Sequence, residues 1–127
     1  MENQHTANRA SEEIDRKVEL AWLQAFYGGM LTDKQREVLT LHCEEDMSLG
    51  EIAQEAGISR QGVHDMLTRA AGKLFDMEEK LGMASRFQRM GEGLEQCRQA
   101  LRNKHYDEAE QLLDALIRLD QEENNGL

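Results

Sequence analysis

The sequence predicts an all-α fold on three observations. There is no proline in 127 residues, so the commonest interruption of a helix is missing. Aromatic residues are scarce, with three Phe, two Tyr and one Trp, and β-branched residues form no runs, which leaves strands little to pack with. Apolar residues recur at steps of three and four through most of the chain, the period of a helix face. The length fits one modest core with an appendage.

Met1 to about Ala10 reads as a disordered polar tail. Ser11 opens a first helix whose apolar positions Ile14, Val18, Ala21, Trp22, Ala25, Phe26 and Met30 form the expected inner stripe. Gly28 and Gly29 mark its end. Thr32 with Gln35 is a capping box, in which the hydroxyl takes a free amide of the first turn and the glutamine reaches back. The second helix then turns Leu31, Val38, Leu39 and Leu41 inward and fades in Glu44-Glu45-Asp46. Ser48 with Glu51 is a second capping box and opens a short helix that Gly57 breaks.

Ser59 starts a long fourth helix. Its positions Val63, Leu67, Ala70, Leu74, Met77, Leu81 and Ala84 alternate steps of four and three, a heptad seam. Gly72 and Gly82 lie inside it, each a cost of ~1 kcal/mol relative to Ala, so a bend or stop is expected near Gly82, and the loose stretch Met90-Gly91-Glu92-Gly93 is another candidate break. The last third predicts a helical hairpin. Leu94, Cys97 and Leu101 share a face before the Asn103-Lys104-His105 turn, and Tyr106, Ala109, Leu112, Leu113, Leu116 and Ile117 make the returning face. The expected organisation is a tail over residues 1–13, a helical domain over 14–90 with its motif at 48–75, and a hairpin over 91–127.

Net charge is −10 with 31% charged residues, which works against generic attraction to nucleic acid or an anionic membrane. No stretch approaches the roughly 20 apolar residues of a membrane span, and the polar start lacks the apolar middle of a secretory signal. Cys43 and Cys97 stand alone, without metal-type spacing, and read as reduced thiols of a cytoplasmic protein. His42 beside Cys43 makes no metal pair, because helix neighbours point about 100° apart. With no phosphate loop, nucleophile elbow or His/carboxylate constellation, neither an enzyme nor a cofactor is expected. The acidic Glu44-Glu45-Asp46 lacks the alternation and glycine of a calcium loop.

The motif with functional content is a helix-turn-helix. Leu49, Ile52, Ala53, Gly57, Ile58, Val63 and Leu67 carry its scaffold. A steep crossing of two helices needs a small residue, which Ala53 supplies. Four residues on, the turn needs positive φ, which Gly57 adopts without penalty. Ile58 plugs the turn and Ser59 caps the next helix. With Val63, Leu67 and Ala70 inward, Arg60, Gln61, His64, Asp65 and Thr68 point outward on a helix sized for a major groove. Arg60 has the fork for guanine and Gln61 the amide for adenine. Ser59 and the free amides of the first turn suit a phosphate. Thr68, Arg69 and Lys73 lie further along and suit backbone contacts. The competing account is a solvated polar face on a scaffolding bundle.

Between Ser48 and Phe75, Glu51, Glu55 and Asp65 offset Arg60, Arg69 and Lys73, so the reading unit is locally neutral. Phosphate neutralisation supplies most of a DNA reader's affinity, so one copy is expected to bind weakly. The hairpin is uneven. Arg86 to Lys104 holds five basic and two acidic residues, and His105 to Leu127 seven acidic and one basic. Neutralisation between the two helices accounts for this, with an RNA-facing surface on Arg86, Arg89, Arg98 and Arg102 as the other reading.

The segments Leu31–Leu39 (LTDKQREVL) and Ser48–Val63 (SLGEIAQEAGISRQGV) resemble region 4 of sigma factors, and more closely the YlxM family of small bacterial proteins. Phe26-Tyr27 and Arg86-Phe87-Gln88 suit that family too, so the resemblance covers about Val18 to Met90; Gly62 departs from the helix-favouring residue expected there. The resemblance implies a sigma region 4-like trihelical helix-turn-helix bundle with a long fourth helix, followed by the C-terminal helical hairpin. It also implies a regulatory protein linked to the signal recognition particle pathway, with components of that particle as partners. Together with the outward face of the fourth helix, this makes a cytoplasmic DNA-binding regulatory protein the expectation, with DNA as partner and Ser59, Arg60, Gln61, His64, Thr68, Arg69 and Lys73 at the DNA. The alternatives are a protein-binding adaptor acting on the targeting GTPases, or an RNA-binding accessory. A homodimer is expected through the Val63-to-Ala84 seam and the hairpin, which would double the phosphate contacts. The competing view has Trp22 and Phe26 cover that seam within one chain.

Overall fold

The computed structural model describes residues 2–125, with side chains described from 8 to 121. The chain divides into two compact units, Met1–Ala84 and Ser85–Leu127. The boundary falls six residues before the expected one at Met90, just after the break at Gly82.

In the first unit, α1 spans Glu2–Tyr27, a 3-10 turn Gly28–Met30, α2 Asp33–Cys43, α3 Leu49–Ala56 and α4 Arg60–Leu81. Both capping boxes form: Thr32 Oγ1 accepts the Gln35 amide at 3.1 Å and Ser48 Oγ the Glu51 amide at 3.2 Å, with each N3 side chain returning to the cap amide. α4 stops at Gly82, which is left-handed at φ 63° and donates to the Glu78 carbonyl at 2.8 Å. Gly72 interrupts nothing.

Two expectations for α1 need correction. The helix begins at Glu2, so the segment expected as a tail is helical up to Ala10, apart from Met1, which lies outside the described residues. No glycine or proline occurs between Glu2 and Tyr27, so nothing stops a helix nucleated downstream from extending back. The inner stripe is also turned by about half a circle. Leu20, Leu23 and Tyr27 are buried, whereas Ile14, Val18 and Met30 are more than 60% exposed. α1 carries apolar residues on both sides, and periodicity alone does not choose between them.

The core has two parts. Leu20, Leu23, Tyr27, Leu31, Leu39, Ala70, Ala71, Leu74 and Ala84 join α1, α2 and α4. Val38, Ile52, Ala56 and Val63 join α2, α3 and α4, and half-buried Leu67 touches both clusters. Val63, Ala70, Leu74 and Ala84 are therefore consumed inside the chain, and of the heptad seam only Leu81, 57% exposed, faces outward. The seam does not carry the expected dimer contact. Its cover on α1 is Leu20, Leu23 and Tyr27, with Phe26 half-buried at the edge and Trp22 packed edge-on against Phe26 at 5.1 Å. Cys43 is half-buried against this cluster.

In the second unit, α5 spans Met83–Arg102 from its two-residue start in the first, and α6 spans Tyr106–Asn125. The turn between them forms at Asn103–His105 as expected, with Lys104 at φ 60°. α5 runs unbroken through Met90–Gly93. Gly93 marks a close helix approach, not a break: a Cβ there would collide with the Leu116 side chain. Cys97, Ala100 and Ala109 are buried at the same seam, and the Cys97 thiol faces the Ala109 carbonyl at 3.8 Å. Leu94 and Leu101, expected on one face with Cys97, lie beside it and are half exposed. Among the described residues no helix is long and apolar enough to cross a membrane.

Candidate nucleic-acid interface

The crossing of α3 and α4 is built as its sequence demands. Ile52 and Val63 are fully buried and face each other across it, backed by Val38. Ala53 is half-buried at the contact, and its carbonyl accepts two amides, Gly57 at 3.0 Å and Ile58 at 3.1 Å, which closes the helix. Gly57 sits at φ 71° and ψ 31°, the left-handed region where a side chain is strained. Leu49, Ile58 and Leu67 pack half-buried around the crossing. Ala56 is buried as well, a scaffold position that the expected spacing passed over.

Ser59 caps α4 by accepting the Gly62 amide on Oγ at 2.9 Å. Gly62 stands at N3, where Thr32 and Ser48 each have a Gln or Glu. A Cβ at Gly62 would meet Ser59 Oγ at 3.0 Å, so glycine fits the cap tightly and the second half of a capping box is lost.

Beyond this turn Arg60, Gln61, His64, Asp65, Thr68 and Arg69 are all exposed. Ser59, Arg60, Gln61 and His64 gather on the first turn and a half. Gln61 Nε2 donates to Asp65 Oδ1 at 3.0 Å, leaving its carbonyl oxygen and second amide hydrogen for a partner. The same carboxylate oxygen lies 3.6 Å from His64 Nδ1. The Thr68 hydroxyl donates back to the His64 carbonyl at 2.9 Å, as helical threonines do. Lys73 is apart from the group, roughly 20 Å from Arg60 along the axis at 1.5 Å per residue. Its ammonium donates to the Met30 carbonyl at 2.6 Å.

Two further groups, outside the residues expected at the DNA, stand beside this face. Asp65 puts a carboxylate among the exposed donors, a negative charge that repels anions and an acceptor for amino groups. Arg16, on α1, holds its guanidinium 5.5 Å above the Phe75 ring. It lines a cleft of about 580 Å³ with His42, Leu49, His64, Leu67 and Phe75. Its place follows from burial of Leu20 one turn later, which the misplaced α1 stripe had hidden. Behind the face, burial lowers the pKa of His42 below its ordinary value, and nearby Lys17 adds to the shift. Lys17 pairs with Asp46 at 2.6 Å, and that bond holds the Asp46 carboxyl below the usual carboxylate range.

Residues 14–115 match the family described as "Putative helix-turn-helix protein, YlxM / p13 like". A UPF0122 protein of Halalkalibacterium halodurans is 39% identical over 88 residues, 69% of this chain and 81% of that protein. One of Acetivibrio thermocellus is 49% identical over 74 residues, 58% of this chain and 63% of that protein. One of Bacillus cereus is 33% identical over 109 residues, covering 84% of this chain and 99% of its relative.

Proposed function

We propose that this chain, which belongs to the YlxM / p13-like family of helix-turn-helix proteins, is a DNA-binding regulatory protein that reads duplex DNA with the first turns of α4. The observation that carries this reading is the left-handed Gly57 turn, which leaves Arg60, Gln61 and His64 exposed together at a capped helix start. In a major groove Arg60 would fork onto guanine and Gln61 pair with adenine. Ser59 and the α4 amides would hold a phosphate. Thr68 and Arg69 would follow the backbone one turn on, and Lys73 would reach it only by releasing the Met30 carbonyl.

Charge limits a single copy. Three cations offset by three carboxylates between Ser48 and Phe75 give little phosphate neutralisation, so two copies on two half-sites are part of the proposal. Selection of duplexes from a random pool at low salt tests it. The expected product is an inverted repeat with half-sites one helical turn apart. If no sequence is enriched over bulk DNA, DNA reading fails, and a protein-binding role in the signal recognition particle pathway becomes the better account.

A further inference from the structure

The second unit is amphipathic in a way its own fold does not use. On α5, buried Cys97 is flanked by half-exposed Leu94 and Leu101, three residues before it and four after. On α6, buried Ala109 is flanked at the same two offsets by Tyr106 and Leu113, with Ile117 one turn further. Two antiparallel helices that face one another are related by a local two-fold, so equal offsets put both ridges on the same side of the hairpin. These five side chains are 41–62% exposed and form one continuous apolar face.

Its outer edges are charged with opposite sign. Arg98 and Arg102 border the ridge on α5, and Glu110 and Asp114 border it on α6, all of them exposed. Cys97 against Ala109 and Gly93 against Leu116 set the register of the two helices, which places Arg98 and Glu110 at the same height.

We propose that this face docks against the same face of a second copy of the chain, as a four-helix bundle whose two-fold axis runs parallel to the helices. It deepens the paired reading above by assigning the surface that makes the pair. The charge pattern selects this axis. It lays α5 of one copy over α6 of the other, so that every neighbouring pair is antiparallel and the helices alternate between basic and acidic around the ring. Arg98 of each copy then meets Glu110 of the other. The perpendicular axis would set α5 on α5 and α6 on α6, basic on basic and acidic on acidic. About 16 Å of rise from Tyr106 to Ile117, across two helices each about 10 Å wide, gives roughly 330 Å² per copy and about 650 Å² in total, the size of a weak, transient pair. A pair of that size exchanges readily and is sought across micromolar concentrations.

Sedimentation equilibrium of the full chain without DNA tests the docking, so its outcome is independent of whether DNA is read. The expected mass rises from 14.6 kDa to twice that value across micromolar concentrations. Leu113→Glu abolishes the rise. Arg98→Glu and Glu110→Arg each raise the dissociation constant about tenfold or more, and combining them restores it, because the cross-copy pair is rebuilt with its signs exchanged. Arg98 also pairs with Glu95 on its own helix at 2.6 Å. Glu95→Gln removes that partner and leaves the dimer intact. A mass of 14.6 kDa throughout would overturn the proposal. So would a dimer that is indifferent to Leu113→Glu, or one that the charge exchange fails to restore.

Discussion

The Tyr27 hydroxyl donates to Glu78 Oε1 at 2.7 Å and accepts the Met83 amide at 3.0 Å. The same carboxylate oxygen accepts the Ala84 amide at 3.1 Å. One tyrosine of α1 and one glutamate of α4 thus satisfy two of the amides that the start of α5 leaves without helical partners. Burial pushes the Tyr27 phenol up, and the adjacent carboxylate adds to it. Tyr27→Phe keeps the ring and removes both bonds. It should cost ~1–3 kcal/mol in urea unfolding; an unchanged midpoint would mean that the network contributes nothing to stability.

The helix-turn-helix scaffold makes a second prediction. Gly57→Val places a β-branched side chain at φ 71° and should destabilise by ~1–3 kcal/mol. Ala53→Leu adds bulk where α3 meets α4 and should cost ~1–3 kcal/mol by overpacking. Thermal unfolding of both variants checks this. Two unmoved transitions would leave the crossing without the tight fit assigned to it.

How legible these features were in the sequence depended on the range of the interaction. The Thr32/Gln35 and Ser48/Glu51 boxes, the Gly57 turn and the Gly82 stop are local, complete within a few residues, and all four are legible in the sequence. The inner face of α1 was not legible, because Leu20, Leu23 and Tyr27 compete with an equally periodic set at Ile14, Val18 and Trp22. Fit to α2 and α4 decides between them. Gly93 was misread because a glycine that admits Leu116 and a glycine that breaks a helix look the same in sequence. Tyr27 and Glu78 are 51 positions apart, and no local pattern joins them. At the candidate interface the exposure of Arg60, Gln61 and His64 followed from the period of α4, whereas the hold of Asp65 on Gln61 needed coordinates.

The heptad seam gives a third prediction. Leu74 has no exposed surface and Leu81 is 57% exposed. Leu74→Glu should unfold the chain, costing several kcal/mol for a buried charge in place of a packed leucine. Leu81→Glu should change stability by no more than ~0.5 kcal/mol. Circular dichroism against temperature separates the two. A folded Leu74→Glu protein would return the seam to the list of docking surfaces.

His42 predicts a pH dependence. Its pKa lies below the ordinary 6.5 because burial disfavours the imidazolium, so the unfolded chain binds the proton more readily than the folded one. The stability tied to neutral His42 is then fully present above about pH 6.5 and is lost as pH falls from there toward the folded pKa. Thermal unfolding between pH 8 and pH 5.5 should show the decline, and His42→Gln should flatten it over that interval. An identical slope in the variant would assign the effect to other groups.

The central claim is that the start of α4 reads base sequence, and binding of a selected duplex against salt tests it most directly. For the intact protein the logarithm of affinity should fall with the logarithm of salt with a slope of about −3 to −5, set by the few cations available in one or two copies. Arg60→Ala and Gln61→Ala should each cost ~1–3 kcal/mol on the selected duplex and little on bulk DNA. Lys73→Ala should lower both by a similar, smaller amount, as a backbone contact does. Equal affinity of the intact protein for selected and bulk DNA at low salt, or a selected-site preference that survives Arg60→Ala and Gln61→Ala together, would contradict the claim.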